Sequence, residues 1–151
     1  MRLRRRGGFT LVEVLIVVVI MAVLAATIIP QFTSSTEDAK KSTLKFNLHT
    51  LRNQIQLYKV HHGGAVPTIT AASLPQLTSA TNALGATGAA GTSFPFGPYL
   101  VTGLPENPMN GKSTVVQATA VPPTAAVGDA GWQYDAATGQ LWANTTEFIT
   151  N

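Results

Sequence analysis

Residues 4–30 read RRRGGFTLVEVLIVVVIMAVLAATIIP. A run of arginines and a Gly-Gly pair lead into residues 9–29, where only Thr10, Glu13 and Thr27 are polar. As a helix rising about 1.5 Å per residue, that stretch covers roughly 31 Å, the thickness of a bilayer's hydrocarbon core. A helical threonine can return its hydroxyl to the backbone, so both threonines cost little. Glu13 is different. An ionisable group in hydrocarbon costs on the order of a few kcal/mol and marks a function or a partner.

Charge patterning supports a membrane role for the stretch. The chain of 151 residues has a formal net charge of +3, but Arg2, Arg4, Arg5 and Arg6 carry much of it. Beyond residue 8, six bases face seven acids, a net charge of −1. The basicity therefore belongs to the leader and gives no reason to expect nucleic-acid binding. Arginines ahead of an apolar segment instead keep that end in the cytoplasm. The absence of cysteine removes disulfides, thiolate metal sites and any thiol nucleophile.

Three readings of the segment compete. It can be a single-pass anchor with a tolerated acid. It can be a secretory signal with small residues at Val23-Leu24-Ala25-Ala26 for cleavage, which would release a soluble domain. The third rests on Gly8-Phe9-Thr10-Leu11-Val12-Glu13, which closely resembles the processing motif of type IV pilins and type II secretion pseudopilins. The resemblance implies that a prepilin peptidase cuts between Gly8 and Phe9 and methylates the new terminus. Glu13 then becomes the fifth residue of the mature chain, and Pro30 matches a proline that members often carry near the end of the membrane segment. A freed Phe9 ammonium in a low-dielectric setting needs a counter-charge, and a neighbouring subunit's Glu13 supplies one. The carboxylate is thus read as an assembly residue, costly alone and satisfied in a helical stack.

Beyond the apolar stretch, Pro30 is expected to bend or locally melt the helix. Ser34-Ser35-Thr36-Glu37-Asp38 reads as a restart, with capping hydroxyls and acids at the positive end. Leu44, Leu48, Leu51, Ile55 and Tyr58 then follow a 4-3-4-3 spacing, one apolar helix face, and Gly63-Gly64 ends it. Residues 68–93, rich in Ala, Thr, Gly and Ser, read as a flexible loop with a short helix near 72–77. A strand is expected at 112–116. A hairpin is expected with strands near 132–134 and 140–143, and with Trp132, Tyr134, Leu141 and Trp142 on the sheet face over the helix. The expected fold is α+β: a long N-terminal helix packed on a small C-terminal antiparallel sheet. Its parts are a leader (1–8), a membrane and assembly helix (9–30), an amphipathic helix (31–64) and a globular region (65–151).

This C-terminal part resembles the major pseudopilin more than an adhesive pilin. The resemblance lies in Tyr58-Lys59, Gly97-Pro98-Tyr99-Leu100, Leu104-Pro105, Asn107-Pro108 and the Trp132/Tyr134 hairpin with Gly139. It implies a subunit that waits in the inner membrane with its C-terminal domain in the periplasm. The subunit then self-assembles into a helical fibre through an assembly platform with a separate ATPase. A type IV pilin or minor pilin for adhesion, motility or DNA uptake is the alternative. No catalytic constellation is visible: Ser113-Thr114, Glu106 and Glu147 make no triad with a histidine, and no phosphate loop occurs. No cofactor is expected, with one qualification. Major pseudopilins hold calcium in a C-terminal loop, which makes Asp129 and Asp135 calcium candidates. The loop is short of acids, and aspartate also serves ordinary turns. His61-His62 read as a helix C-terminal pair favoured by the dipole, and His49 as a surface residue.

Overall fold

A computed structural model describes residues 8–147, without the side chains at 30, 32 and 33. The leader arginines lie outside the described residues. Helix α1 runs Leu11–His61. Residues up to Ala39 and residues from Lys40 onward form two separate units.

Between Leu11 and Ile29, where only Glu13 and Thr27 are polar, α1 is apolar on every side, and Leu11, Val14, Val17, Val18, Ile20 and Leu24 are all exposed. It is long and apolar enough to cross a membrane. A run such as Val17-Val18-Val19-Ile20 has modest helix propensity in water, but a single segment in hydrocarbon must bond its backbone within itself, which favours the helix. The expected melting at Pro30 and the restart after it are not found, because α1 continues unbroken through residue 30. Proline removes one ladder bond, and the neighbouring turns carry the helix. The Ser34 hydroxyl bonds back to the Gln31 carbonyl at 3.0 Å instead of capping a new start.

In the second unit Leu44, Leu48, Leu51, Ile55 and Tyr58 are all buried, as the 4-3-4-3 stripe predicts. The helix ends where expected. Gly63 and Gly64 have φ of +60° and +93°, and the Gly64 amide closes back on the Lys59 carbonyl at 2.8 Å. That is a Schellman-type ending, and glycine adopts it without a Cβ penalty.

The helix face packs against a three-stranded sheet, order β3-β4-β5, formed by Val115–Gln117, Trp132–Asp135 and Gln140–Ala143. Strands β4 and β5 form the expected antiparallel hairpin, but β3 pairs parallel to β4, so the sheet is mixed. The strand expected at 112–116 is this β3, shifted a few residues later. Register also corrects one residue. Trp132 pairs with Ala143 and Tyr134 with Leu141, and these four join the core with the helix. Trp142 pairs with Gln133, so alternation puts it on the opposite face, where it is still buried. The Tyr134 hydroxyl donates to the Pro67 carbonyl at 2.7 Å, and burial, with Asp135 beside it, pushes its pKa up.

Residues 68–93 hold more structure than a featureless loop. They contain α2 (Pro75–Thr78) and an antiparallel pair, β1 (Ala80–Thr81) with β2 (Thr87–Gly88). Leu74 and Leu77 are fully buried and anchor this stretch to the core.

Candidate functional site

The N-terminal end of α1 is built by a reciprocal cap. The Thr10 amide and the Thr10 hydroxyl both donate to Glu13 Oε2, each at 2.9 Å. The Glu13 amide donates to Thr10 Oγ1 at 3.2 Å. Thr10-x-x-Glu13 is therefore a capping box, which satisfies amide groups that a helix start leaves without partners. Thr27 bonds its hydroxyl to the Val23 carbonyl at 3.1 Å, as a helical threonine is expected to. Thr10 does not. Its hydroxyl serves the cap, a role its spacing from Glu13 signals in the sequence. No hydrogen bond to Glu13 Oε1 occurs among the described residues. One carboxylate oxygen serves the chain's own helix, and the other can accept a further donor.

Phe9 is 85% exposed, and Phe9, Glu13, Val14, Val17 and Val18 line an open groove of about 310 Å³. A Cβ added at Gly8 would meet nothing within 4 Å. Among the described residues nothing therefore places a steric demand for glycine there. Pro30 lies in α1, with its side chain outside the description.

The other sequence candidates are distributed elsewhere. His62 is a core residue. It stacks on Tyr58 at 3.8 Å, with Nδ1 against the Tyr58 carbonyl at 2.8 Å and Nε2 against Thr81 Oγ1 at 3.0 Å. The carbonyl only accepts, which puts the hydrogen on Nδ1. His61 Nδ1 meets the Tyr99 hydroxyl at 3.0 Å, and exposed His49 accepts from Asn53 at 2.9 Å. Thus only His61 fits the expected helix-end role.

Asp135 is a hairpin residue. Its Oδ2 accepts from Thr138 Oγ1 at 2.6 Å and the Thr138 amide at 3.2 Å. Its Oδ1 accepts from Gln117 Nε2 at 3.2 Å and the Ala137 amide at 3.3 Å. Chiefly the Thr138 hydroxyl holds this carboxyl below the usual carboxylate range. Asp129 Oδ2 lies 2.9 Å from Lys112 Nζ. Among the described residues no three His, Asp or Glu side chains gather. Calcium takes six to eight oxygens, usually with several carboxylates among them. One aspartate saturated by its own turn and by Gln117, and another already paired with an ammonium, do not fit that ion.

Comparison with known proteins matches residues 3–29 to the prokaryotic N-terminal methylation motif. The chain is 37% identical over 60 residues to the type II secretion system core protein G of Pseudomonas aeruginosa, covering 40% of this chain and 42% of that protein. It is 32% identical over 85 residues to the core protein G of Escherichia coli, covering 52% and 59%. For that of Klebsiella pneumoniae the figures are 33% over 81 residues, covering 54% and 56%. The chain thus spans less than two thirds of the length of these relatives. No solved structure matches. The chain carries the prokaryotic N-terminal methylation motif and is similar, over roughly half its length, to the core protein G of type II secretion systems.

Proposed function

We propose that this chain is a structural subunit of a pseudopilus, the short periplasmic fibre of a type II secretion system, and that it drives protein export without catalysing a reaction. The observation that carries the proposal is the end of α1. An apolar helix exposed on every side begins with a carboxylate that has one oxygen in its own cap and no bond to the other among the described residues. Such a surface needs lipid or sister helices. Such a carboxylate needs a donor, and the Phe9 ammonium of a neighbouring copy would provide it.

In this reading a prepilin peptidase cuts between Gly8 and Phe9 and methylates Phe9. The requirement for Gly8 comes from the peptidase, since among the described residues there is room for a side chain there. The precursor waits in the bacterial inner membrane, its basic end cytoplasmic and its C-terminal domain periplasmic. A separate ATPase, acting through an inner-membrane platform, lifts subunits from the bilayer into the fibre. Pro30, one ladder bond short, gives α1 a place to adjust as helices pack.

Two measurements on the same cells test this. Intact-mass analysis of membrane-extracted protein should give a chain starting at Phe9 with one added methyl group, and a start near Thr27 would show an ordinary secretory signal. Glu13→Val should still insert and still be cut, yet yield almost no fibre. Wild-type fibre yield from normal levels of cut Glu13→Val protein would show that Glu13 is only a tolerated acid.

A further inference from the structure

Between β3 and β4, residues 118–131 run without regular structure, and a parallel connection of this kind must be tied down by something other than a tight turn. Backbone bonds hold its two ends, Ala118 to Tyr134 and Gly131 to Thr114, and between them the ties are chiefly carboxamide side chains. Asn144 Nδ2 donates to the carbonyls of Val127 and Ala130, both at 2.8 Å. Its Oδ1 accepts from the Val127 amide at 2.8 Å and from Gln133 Nε2 at 2.9 Å. Gln133 Nε2 also reaches the Ala125 carbonyl at 2.8 Å. Asn110 Nδ2 donates to the Ala130 carbonyl at 2.9 Å, and Asn107 Nδ2 to the Gly131 carbonyl at 2.8 Å. Asn107, Gln133 and Asn144 are all buried. On the rim, Lys112 sits on Asp129.

A metal ion holds a loop by collecting its carbonyls and carboxylates around one positive charge. Here the carbonyls of residues 125, 127, 130 and 131 each accept a carboxamide N–H, and the loop's aspartate meets an ammonium. Gln133 Oε1 is a buried acceptor without a partner, but a single orphan oxygen falls far short of a calcium shell. The same network explains Asn144-Thr145-Thr146, a formal glycosylation sequon. Its asparagine nitrogen is buried and committed to two carbonyls.

We propose that the carboxamide network of Asn107, Asn110, Gln133 and Asn144, with Lys112 on Asp129, does in this chain what a bound cation would do. The loop at 118–131 and the domain around it are then ordered without calcium. This departs from the family expectation and does not depend on whether the chain assembles into a fibre.

The test uses the full chain in detergent micelles. Thermal unfolding is followed by near-ultraviolet circular dichroism, in which buried Trp132 and Trp142 report on packing around the sheet. The expected result is the same Tm in EGTA and in about 10 mM calcium, a concentration roughly tenfold or more above the Kd of even weak extracellular-type sites. A Tm raised by several degrees in calcium would overturn the proposal, because a site occupied well above its Kd must stabilise the fold. Asn144→Ala should lower Tm by several degrees equally in both solutions. A loss seen in EGTA and rescued by calcium would also overturn it. If Asn144→Ala does not fold in either solution, the wild-type comparison decides alone.

Discussion

Replacing Ala71-Ala72 by Asn-Gly should stabilise the protein. Thr70 and Ser73 exchange both backbone hydrogen bonds, at 2.9 and 3.0 Å, so the two alanines form a two-residue hairpin loop. Their φ values are +49° and +55°. Positive φ at both central positions defines a type I′ turn, in which Asn-Gly is favoured. An alanine held there costs roughly 1–2 kcal/mol. The strain persists because the turn is used: the Val115 amide, at the start of β3, donates to the Ala72 carbonyl at 2.8 Å. Glycine at 72 would relieve that residue but return about 0.5–1 kcal/mol as lost chain entropy. Asparagine at 71 tolerates the conformation better than alanine, and the position is exposed, so the added side chain has room. The net gain is about 1–2 kcal/mol, which for a domain of this size raises Tm by about 4–8 °C. Thermal unfolding of wild type and double variant in the same detergent measures it, with Ala72→Val as a control that should lower Tm. An unchanged or lower Tm for the Asn-Gly variant would refute the reasoning, since it would mean that the alanines are not strained.

Gly131→Ala should be severely destabilising, by about 3 kcal/mol or more, because its Cβ would overlap the Lys112 carbonyl, a backbone atom with little freedom to move. Urea unfolding checks this. Tyr134→Phe leaves the buried Pro67 carbonyl without its donor and should cost about 1–3 kcal/mol with little change in packing. Asp135 makes stability rise with pH at the acid end, because its folded pKa is lowered and the unfolded chain binds the proton more readily. Its contribution is present above the ordinary carboxylate value of about 3.9 and fades as pH falls through the lowered one. Asp135→Asn should therefore flatten part of the acid limb of a Tm-against-pH curve, and an unchanged limb would show that the Thr138 hydrogen bonds do not matter.

What the sequence made legible depended on how long each pattern ran. Five residues at 4-3-4-3 spacing span four helical turns, and all five are buried. The hairpin was legible because Asp135 and Gly139 bracket a turn between two apolar runs. Trp142 follows Leu141 directly in β5, so strand alternation and not bulk decides its face. The parallel pairing of β3 could not be read, because a three-residue strand shows no period and the irregular connection that returns the chain to β4 is held by side-chain amides, which leave no periodic trace. Residues 68–93 fold through a four-residue helix and two-residue strands, too short for any period to register. At the N-terminus, Glu13 was legible as a costly carboxylate. The Thr10 cap is also written there, at the capping-box spacing from Glu13.

That cap changes what a Glu13 substitution measures. Glu13→Val removes two things: the acceptor for the Thr10 amide and hydroxyl, and the negative charge. Glu13→Gln keeps an oxygen that can accept from Thr10, and so keeps most of the cap, but carries no charge for an ammonium. Thr10→Val removes the cap's hydroxyl and leaves the charge, at a cost to the helix start of about 0.5–2 kcal/mol. If assembly depends on the charge, Glu13→Gln should fail in fibre recovery about as badly as Glu13→Val, and Thr10→Val should keep a substantial yield. If the carboxylate serves only to start the helix, the order reverses. None of the three should change the unfolding of the C-terminal domain, because its core cluster begins at Leu44 and uses no residue of the apolar stretch. A shared loss of domain stability would mean that the two units do not fold independently, and fibre yield could not then be read as assembly. For the same reason a chain of residues 31–151 should be a soluble monomer, and fibres from that fragment alone would place the assembly surface in the domain.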